Sequence, residues 1–132
     1  MRALQLADDD AQAYARLSAL LKLDTSDPKR AAGLSAAVEA AIAAPHAVLH
    51  VCLETLRLAQ RLCGTTNPML ASDLAMAAIL AEAGAKSAAC NVRINLPLLE
   101  DEQVRGAFER TLQQTLSDAA RIAQEVQQAC RT

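Results

Sequence analysis

An apolar stretch over residues 67–95 carries polar side chains whose spacing places them along one side of a helix. Asp73 and Asn91 are eighteen residues apart, a whole number of α-helical turns, and Gly84 and Asn95 fall close to the same line. Most neighbouring residues are alanine and leucine, so this side should be buried, where an amide or carboxylate needs a hydrogen-bonding partner. A bound polar ligand would supply that partner, which makes the stretch a candidate binding site.

The same stretch carries a family resemblance. Its pattern S-D-L-x(9)-G-A-x(5)-N-V-x-I-N resembles the cyclodeaminase and methenyltetrahydrofolate cyclohydrolase family, which includes the C-terminal half of bifunctional formiminotransferase-cyclodeaminase. Residues 10–14, D-A-Q-A-Y, are similar to that family's D-A-x-A-[FY] segment, and residues 94–101 are similar to its I-N-L-x-x-[IL]-x-D turn. Ala44-Pro45 stands where the family has a V-P pair that opens a helix.

The resemblance covers nearly the whole chain, in the family's order, with one departure. The P-T-P-G-G-G-type loop and the further helices that open the family's domain have no counterpart in this sequence. We therefore expect residues 1–132 to form a single helical domain that corresponds to the C-terminal two-thirds of the family's domain.

The resemblance implies a folate-dependent one-carbon enzyme whose substrate is a tetrahydrofolate derivative. Cyclodeaminases convert 5-formiminotetrahydrofolate to 5,10-methenyltetrahydrofolate and release ammonia, whereas the related cyclohydrolases open the methenyl ring with water. Both reactions transfer protons around one carbon atom, which a single carboxyl group could do as acid and base. The sequence leaves open which of the two reactions applies. The family's all-α dimers also imply a homodimer.

The catalytic carboxyl group implied by the resemblance is that of Asp10. Its neighbours Asp8 and Asp9 would raise its pKa by like-charge repulsion, which suits a group that transfers protons near neutral pH. The alternative is structural: three consecutive aspartates near a chain start are typical of an exposed cluster that caps a helix and interacts with its dipole. From the residues alone both interpretations remain open.

Folate binding is assigned to four residues, because carboxylates and amides can pair with the donors and acceptors of a pterin ring. These residues are Asp73, Asn91, Asn95 and Asn67. Each also has a structural alternative. Asp73 beside Ser72 and Asn67 before a proline are typical helix caps, and the two other asparagines could tie a helix end to a neighbouring segment. Two further hypotheses follow: a catalytically incomplete half that binds folate or a partner chain, and a purely structural helical bundle.

The histidine spacing, the net charge and the length of the apolar window argue against a metal, nucleic acid and a membrane as partners. His46 and His50 have an i, i+4 spacing that can chelate a metal, but no third ligand is evident and we predict no metal site. The net charge of −2 lacks strong clustering, which argues against nucleic acid and against an anionic membrane surface. The most apolar window, residues 74–90, contains Glu82 and Lys86 and is too short and too charged for a membrane span.

Four cysteines without C-x-x-C spacing, and no signal peptide, predict free thiols in a reducing cytoplasm.

The elements that must hold these residues are predicted to be helices throughout. Periodic apolar residues and capping signals predict an all-α, antiparallel bundle of about five helices. Asp27 and Asp101 are the expected N-caps, and Gly64 is the expected left-handed stop. A stripe of alanines at every fourth position from Ala77 to Ala89 should allow close helix packing. The predicted helices cover residues 1–23, 28–43, 45–62, 72–95 and 102–129.

Overall fold

Four α-helices account for most of the residues that the structure describes. A computed structural model describes residues 2–131, with side chains from Leu4 onward. The helices are α1 (Arg2–Leu21), α2 (Pro28–Leu62), α3 (Ala71–Asn95) and α4 (Glu102–Ala129), and short 3-10 turns occupy Pro68–Leu70 and Leu96–Leu98. The structure is 88% helical and the described residues include no strand, so the predicted all-α class is confirmed.

The helix ends follow the sequence signals. The Asp27 carboxylate accepts a hydrogen bond from the Lys29 backbone N–H at 2.8 Å, and the Asp101 carboxylate accepts one from the Gln103 N–H at 2.8 Å. Gly64 has a φ of +74°, a left-handed conformation that glycine adopts without steric cost. These three punctuation predictions are confirmed.

The predicted helix count of five is wrong because residues 28–62 form one continuous helix. Pro45 lies inside α2, although a proline usually ends or kinks a helix by removing one backbone N–H and crowding the preceding turn. Buried residues on both sides of it, including Val38 and Leu49, pack into the same core. Tertiary packing therefore keeps the helix continuous across the proline.

Small residues bring α2 and α3 close together. Ala85 and Ala89 are fully buried and Ala81 is 8% exposed, which confirms most of the predicted small-residue stripe. A Cβ atom on Gly84 would lie only 2.9 Å from the sulfur of Cys52 on α2, so a side chain there would force Cys52 to move. The close approach of these two helices depends on these small side chains.

α2 is the central element of the bundle, since it packs against α1, α3 and α4. Leu49 and Leu56 on α2, Leu112 and Val126 on α4, and Val92 on α3 are fully buried together in one core. This arrangement places α1 on one flank of α2 and α3 on another.

Two helical segments, α2 and Pro68–Leu98, are long and apolar enough to cross a membrane by length and composition. The second extends beyond residues 74–90, so the whole segment is not too short for a span, as the window within it was predicted to be. Core helices of bundles pass the same test, and α2 is one of them. The absence of membrane and nucleic-acid partners, and a cytoplasmic location, stay predictions.

Candidate functional site

A cleft of about 540 Å³ lies between α1 and the C-terminal end of α3, with Ala41 of α2 at its base. This volume falls within the roughly 300–1,000 Å³ of typical small-molecule sites. The lining is mostly apolar with a few polar side chains, as is usual for small-molecule sites. The lining residues are Asp10, Tyr14, Leu17, Ser18, Leu21, Lys22, Ala41, Asn91, Ile94, Asn95 and Leu98.

Three of the predicted site residues meet in this cleft. Asp10 reaches it from α1, and Asn91 and Asn95 reach it from the last turns of α3. Asp10 and Asn95 are half-buried, whereas Asn91 and Asp73 are exposed, so the predicted burial of the polar side of α3 is wrong at two of its three polar side chains. One carboxylate therefore faces two amides across a partly apolar space, which is a suitable arrangement for a polar ring and a proton-transfer group.

The capping alternative for the aspartates is wrong. α1 begins at Arg2, so Asp8, Asp9 and Asp10 lie inside the helix and not at its N-terminus. Asp9 is exposed and accepts a hydrogen bond from the Gln5 side chain at 3.1 Å, whereas Asp10 lines the cleft. The three neighbours thus occupy different environments, and one of them is available to a ligand.

Sequence reasoning missed part of the α1 wall. Tyr14, Ser18 and Lys22 follow Asp10 at intervals of four residues and line the same cleft. This i, i+4 spacing was the signal that could have identified them, because such residues share one side of a helix. Tyr14 is 70% exposed, and Lys22 gives the cleft a positive charge.

Asn91 and Asn95 differ in their own contacts. The Asn95 amide nitrogen donates to the backbone oxygens of Ala41 at 3.0 Å and Asn91 at 3.1 Å. The predicted structural alternative for Asn95, a tie between a helix end and a neighbouring segment, is therefore present together with its position in the cleft. The side chain of Asn91 makes no hydrogen bond to the described residues and is available to a ligand.

The structure does not bring Asp73 and Asn67 to this cleft. Asp73 lies in the first turn of α3, eighteen residues before Asn91, which corresponds to about 27 Å along the helix axis. Asn67 caps the turn before α3, and its side chain accepts a hydrogen bond from the Met69 N–H at 3.0 Å. A role of either residue in folate binding stays a prediction.

The two histidines form an aromatic contact on another side of α2. The rings of His46 and His50 meet edge to face at a centroid distance of 4.6 Å, and His46 also contacts Phe108 of α4 at 5.8 Å. Among the residues with described side chains, no group of three His, Cys, Asp or Glu side chains could hold a metal ion. His46 faces a separate depression of about 760 Å³ that also includes Glu39 and Asp101.

We expect His46 to make the protein less stable at mildly acidic pH. Burial lowers the pKa of His46 below its usual value of 6.5, and the nearby His50 lowers it further. Between the lowered pKa and 6.5 the unfolded chain binds a proton that the folded chain does not, so stability rises with pH across this window. Thermal unfolding at about pH 7.5 and pH 5.5 should show a lower midpoint at the acidic pH.

The control variant is His46→Gln, which should reduce this pH dependence, whereas Asp118→Asn on the distant part of α4 should leave it unchanged. An identical pH dependence in wild type and His46→Gln would contradict the assignment.

The chain is similar to known proteins over most of its length. The sequence model of the formiminotransferase-cyclodeaminase family matches residues 1–114. A methenyltetrahydrofolate cyclohydrolase from Methylorubrum extorquens is 27% identical over 128 residues, which cover 94% of this chain and 62% of that protein.

The fold has a solved counterpart. A formiminotetrahydrofolate cyclodeaminase from Thermotoga maritima superposes with a TM-score of 0.84 at 26% identity, over 96% of this chain and 61% of that one. The chain thus spans about three-fifths of the length of both relatives.

Proposed function

Because the chain belongs to the formiminotransferase-cyclodeaminase family, we propose that it catalyses a one-carbon reaction on a tetrahydrofolate derivative. The reaction is either ammonia release from formiminotetrahydrofolate or hydrolysis of methenyltetrahydrofolate, as in the two relatives. The reactive part of the folate lies in the cleft between α1 and α3.

The observation that carries this proposal is the meeting of Asp10, Asn91 and Asn95 in one cleft of about 540 Å³. Asp10 is separated from the two asparagines by some eighty residues of sequence, so neither motif by itself could form this arrangement. A carboxylate on one wall and amides on the other supply the two functions that the reaction needs, proton transfer and recognition of a polar ring.

The chemistry assigned to Asp10 is proton transfer in both directions. In the deamination, the N10 nitrogen of the folate attacks the formimino carbon and gives its proton to the Asp10 carboxylate. The protonated carboxyl group then gives a proton to the nitrogen that departs, and the carbon–nitrogen bond breaks to release ammonia. In the hydrolysis, the same carboxylate takes a proton from the water that attacks the methenyl carbon and gives a proton to the ring nitrogen whose bond to that carbon breaks. The hydroxyl proton of the intermediate passes to solvent, and the carbon stays on the other nitrogen as a formyl group.

The remaining cleft residues hold the substrate. Asn91 and Asn95 hydrogen-bond to the edge of the pterin, the apolar side chains of Leu17 and Ile94 contact its faces, and Lys22 attracts the anionic tail. Each contact uses an ordinary interaction of its side chain.

The absorbance of the methenyl group tests the proposal, because this group is the product of one reaction and the substrate of the other. Purified protein is added separately to formiminotetrahydrofolate and to methenyltetrahydrofolate. Growth of the methenyl absorbance in the first case, or accelerated decay in the second, is the expected result and identifies the direction. Folded protein that changes neither rate would contradict the proposal.

A second candidate is a folate-binding chain without catalysis, and the observation that favours it is length. The chain covers only 62% and 61% of its two relatives, so catalytic groups of those proteins can lie outside the matched part. Binding of a reduced folate without turnover would support this candidate over the enzyme.

We also infer that the chain forms a homodimer through an apolar face of α3. Three apolar side chains on this face, Met76, Ile79 and Leu80, are 54%, 49% and 71% exposed. Only 17% of the most apolar window within Pro68–Leu98 is buried. Oligomers commonly bury such faces against a second copy.

Light scattering coupled to size-exclusion chromatography tests the dimer. The measured mass of the wild type should be twice that of one chain. The mass of Leu80→Glu should be that of a monomer, because the dimer would bury the new charge in its interface. Leu58→Glu on α2, which is 49% exposed, is the matched control and should leave the dimer intact. A monomeric wild type would exclude the dimer, and flotation of that monomer with lipid vesicles would assign the face to a membrane.

A further inference from the structure

The carbonyl oxygen of Ala41 lacks its usual partner in α2. In a regular α-helix this oxygen accepts a hydrogen bond from the backbone N–H four residues later, and that residue is Pro45, which has none. Ala41 is only 4% exposed, so water has little access to this position. A buried carbonyl without a partner would destabilise the helix, and another donor is needed.

Asn95 supplies that donor from α3. Its side-chain nitrogen lies 3.0 Å from the Ala41 oxygen, across 54 residues of sequence, and 3.1 Å from the oxygen of Asn91. The amide thus replaces the N–H that Pro45 lacks and connects α2 to α3 at the base of the cleft. This hydrogen bond therefore contributes both to the continuity of α2, together with the packing of its apolar side chains, and to the position of Asn95.

These two carbonyl groups fix the orientation of the Asn95 amide. The reverse orientation would place its Oδ1 atom against two carbonyl oxygens, and none of the three could donate. With the nitrogen engaged, Oδ1 is the one polar side-chain atom of Asn95 left for the cleft, and it accepts no hydrogen bond from the described residues. Asn95 consequently offers a ligand an acceptor and not a donor.

We propose that Asn95 is a positioning and specificity residue: its nitrogen completes α2 at Pro45, and its fixed oxygen selects ligands that present an N–H or amino group. This inference rests on the proposed function for the class of ligand. An amino-pyrimidinone ring has such donors on its edge. A ring with only acceptors there would place an acceptor atom against the Asn95 oxygen, and neither atom would have a hydrogen-bonding partner. Asn91, which is free to turn its amide, does not impose this selection.

A double-mutant cycle in thermal unfolding tests the positioning role. Asn95→Ala should lower the unfolding midpoint by roughly 3–8 °C in the wild-type background. In the Pro45→Ala background the new N–H of residue 45 can bond to the Ala41 oxygen, so the same change should cost less than about half as much. The matched cycle with Asn91→Ala should show no coupling to position 45.

Two results of the double-mutant cycle would contradict the positioning role. Equal losses from Asn95→Ala in both backgrounds would overturn the positioning role. If Asn95→Ala alone fails to fold, the proposal requires that Pro45→Ala/Asn95→Ala folds again, and a double variant that also fails would overturn it.

Ligand binding tests the specificity role with a readout that helix completion alone does not move. The probe is 5-formyltetrahydrofolate, a reduced folate that carries the amino-pyrimidinone ring and does not cyclise under the assay conditions. Relative to Pro45→Ala, the variant Pro45→Ala/Asn95→Ala should bind it at least about tenfold more weakly, since the acceptor is lost. An analogue of the probe whose ring edge carries no N–H or amino donor should bind Pro45→Ala/Asn95→Ala no more weakly than Pro45→Ala, because the Asn95 oxygen then has no donor to accept from.

Unchanged affinity after loss of the Asn95 side chain would overturn the specificity role while leaving the proposed function intact. Failure of wild type to bind the probe would overturn both the proposed function and the specificity role. The positioning role is decided by the unfolding cycle in either case.

Discussion

Asp10→Asn is expected to lower the turnover of the folate substrate by about 100- to 10,000-fold, the range over which a general acid or base contributes to catalysis. The amide keeps the size of the side chain but can neither take up nor return a proton. Asp10 is half-buried in the cleft wall on α1, so its replacement should leave the fold intact. Turnover is measured from the methenyl absorbance, and folding from the thermal unfolding midpoint.

Asp9→Asn is the matched control for this experiment. It removes the same charge one residue earlier, on an exposed side chain that pairs with Gln5 and does not line the cleft. Its turnover should stay within about threefold of wild type. Equal losses in the two variants would assign the effect to the general charge of α1, and full activity of Asp10→Asn would remove Asp10 from the mechanism.

Leu49→Ala is expected to produce the largest loss of stability, about 2–5 kcal/mol. Leu49 is fully buried at the middle of α2, the helix that contacts the three others. Truncation removes apolar burial and leaves a cavity in a core that contains few large side chains, since the chain has one Phe, one Tyr and no Trp. Urea unfolding followed by circular dichroism measures the loss.

Leu58→Ala in the same helix is the control, because Leu58 is 49% exposed and its truncation opens no comparable cavity. Its cost should be about 1 kcal/mol or less. Similar losses for the two variants would mean that α2 is not the centre of the core.

Local signals in the sequence were sufficient for most of the helix boundaries. Asp27 and Asp101 cap the helices that they were expected to cap, and Gly64 adopts the left-handed conformation that was expected of it. Each of these features depends on contacts within a few residues of the chain, and such contacts are determined by residue type and spacing. The same holds for the alanine stripe on α3, which follows from helical periodicity.

Pro45 shows where local reasoning failed. A proline predicts a helix boundary because it removes a hydrogen bond, and that prediction assumes that no other group replaces the bond. Here a side chain 54 residues away donates to the Ala41 oxygen. A replacement over that distance has no signature in the sequence around the proline, so five helices were predicted where the described residues form four.

The candidate site likewise has one part that the sequence determines and another that only the tertiary structure determines. The sequence by itself determined that Asp73, Asn91 and Asn95 share one side of α3, because helical periodicity sets direction around the axis. Only the tertiary structure decided that Asp10 joins Asn91 and Asn95, while Asp73 lies about 27 Å from Asn91 along the axis of α3. Periodicity does not determine at which position along the axis of α3 the residues of α1 lie beside it. That position is set by the packing of α1 and α3 against α2, a sum of many weak contacts between residues distant in sequence.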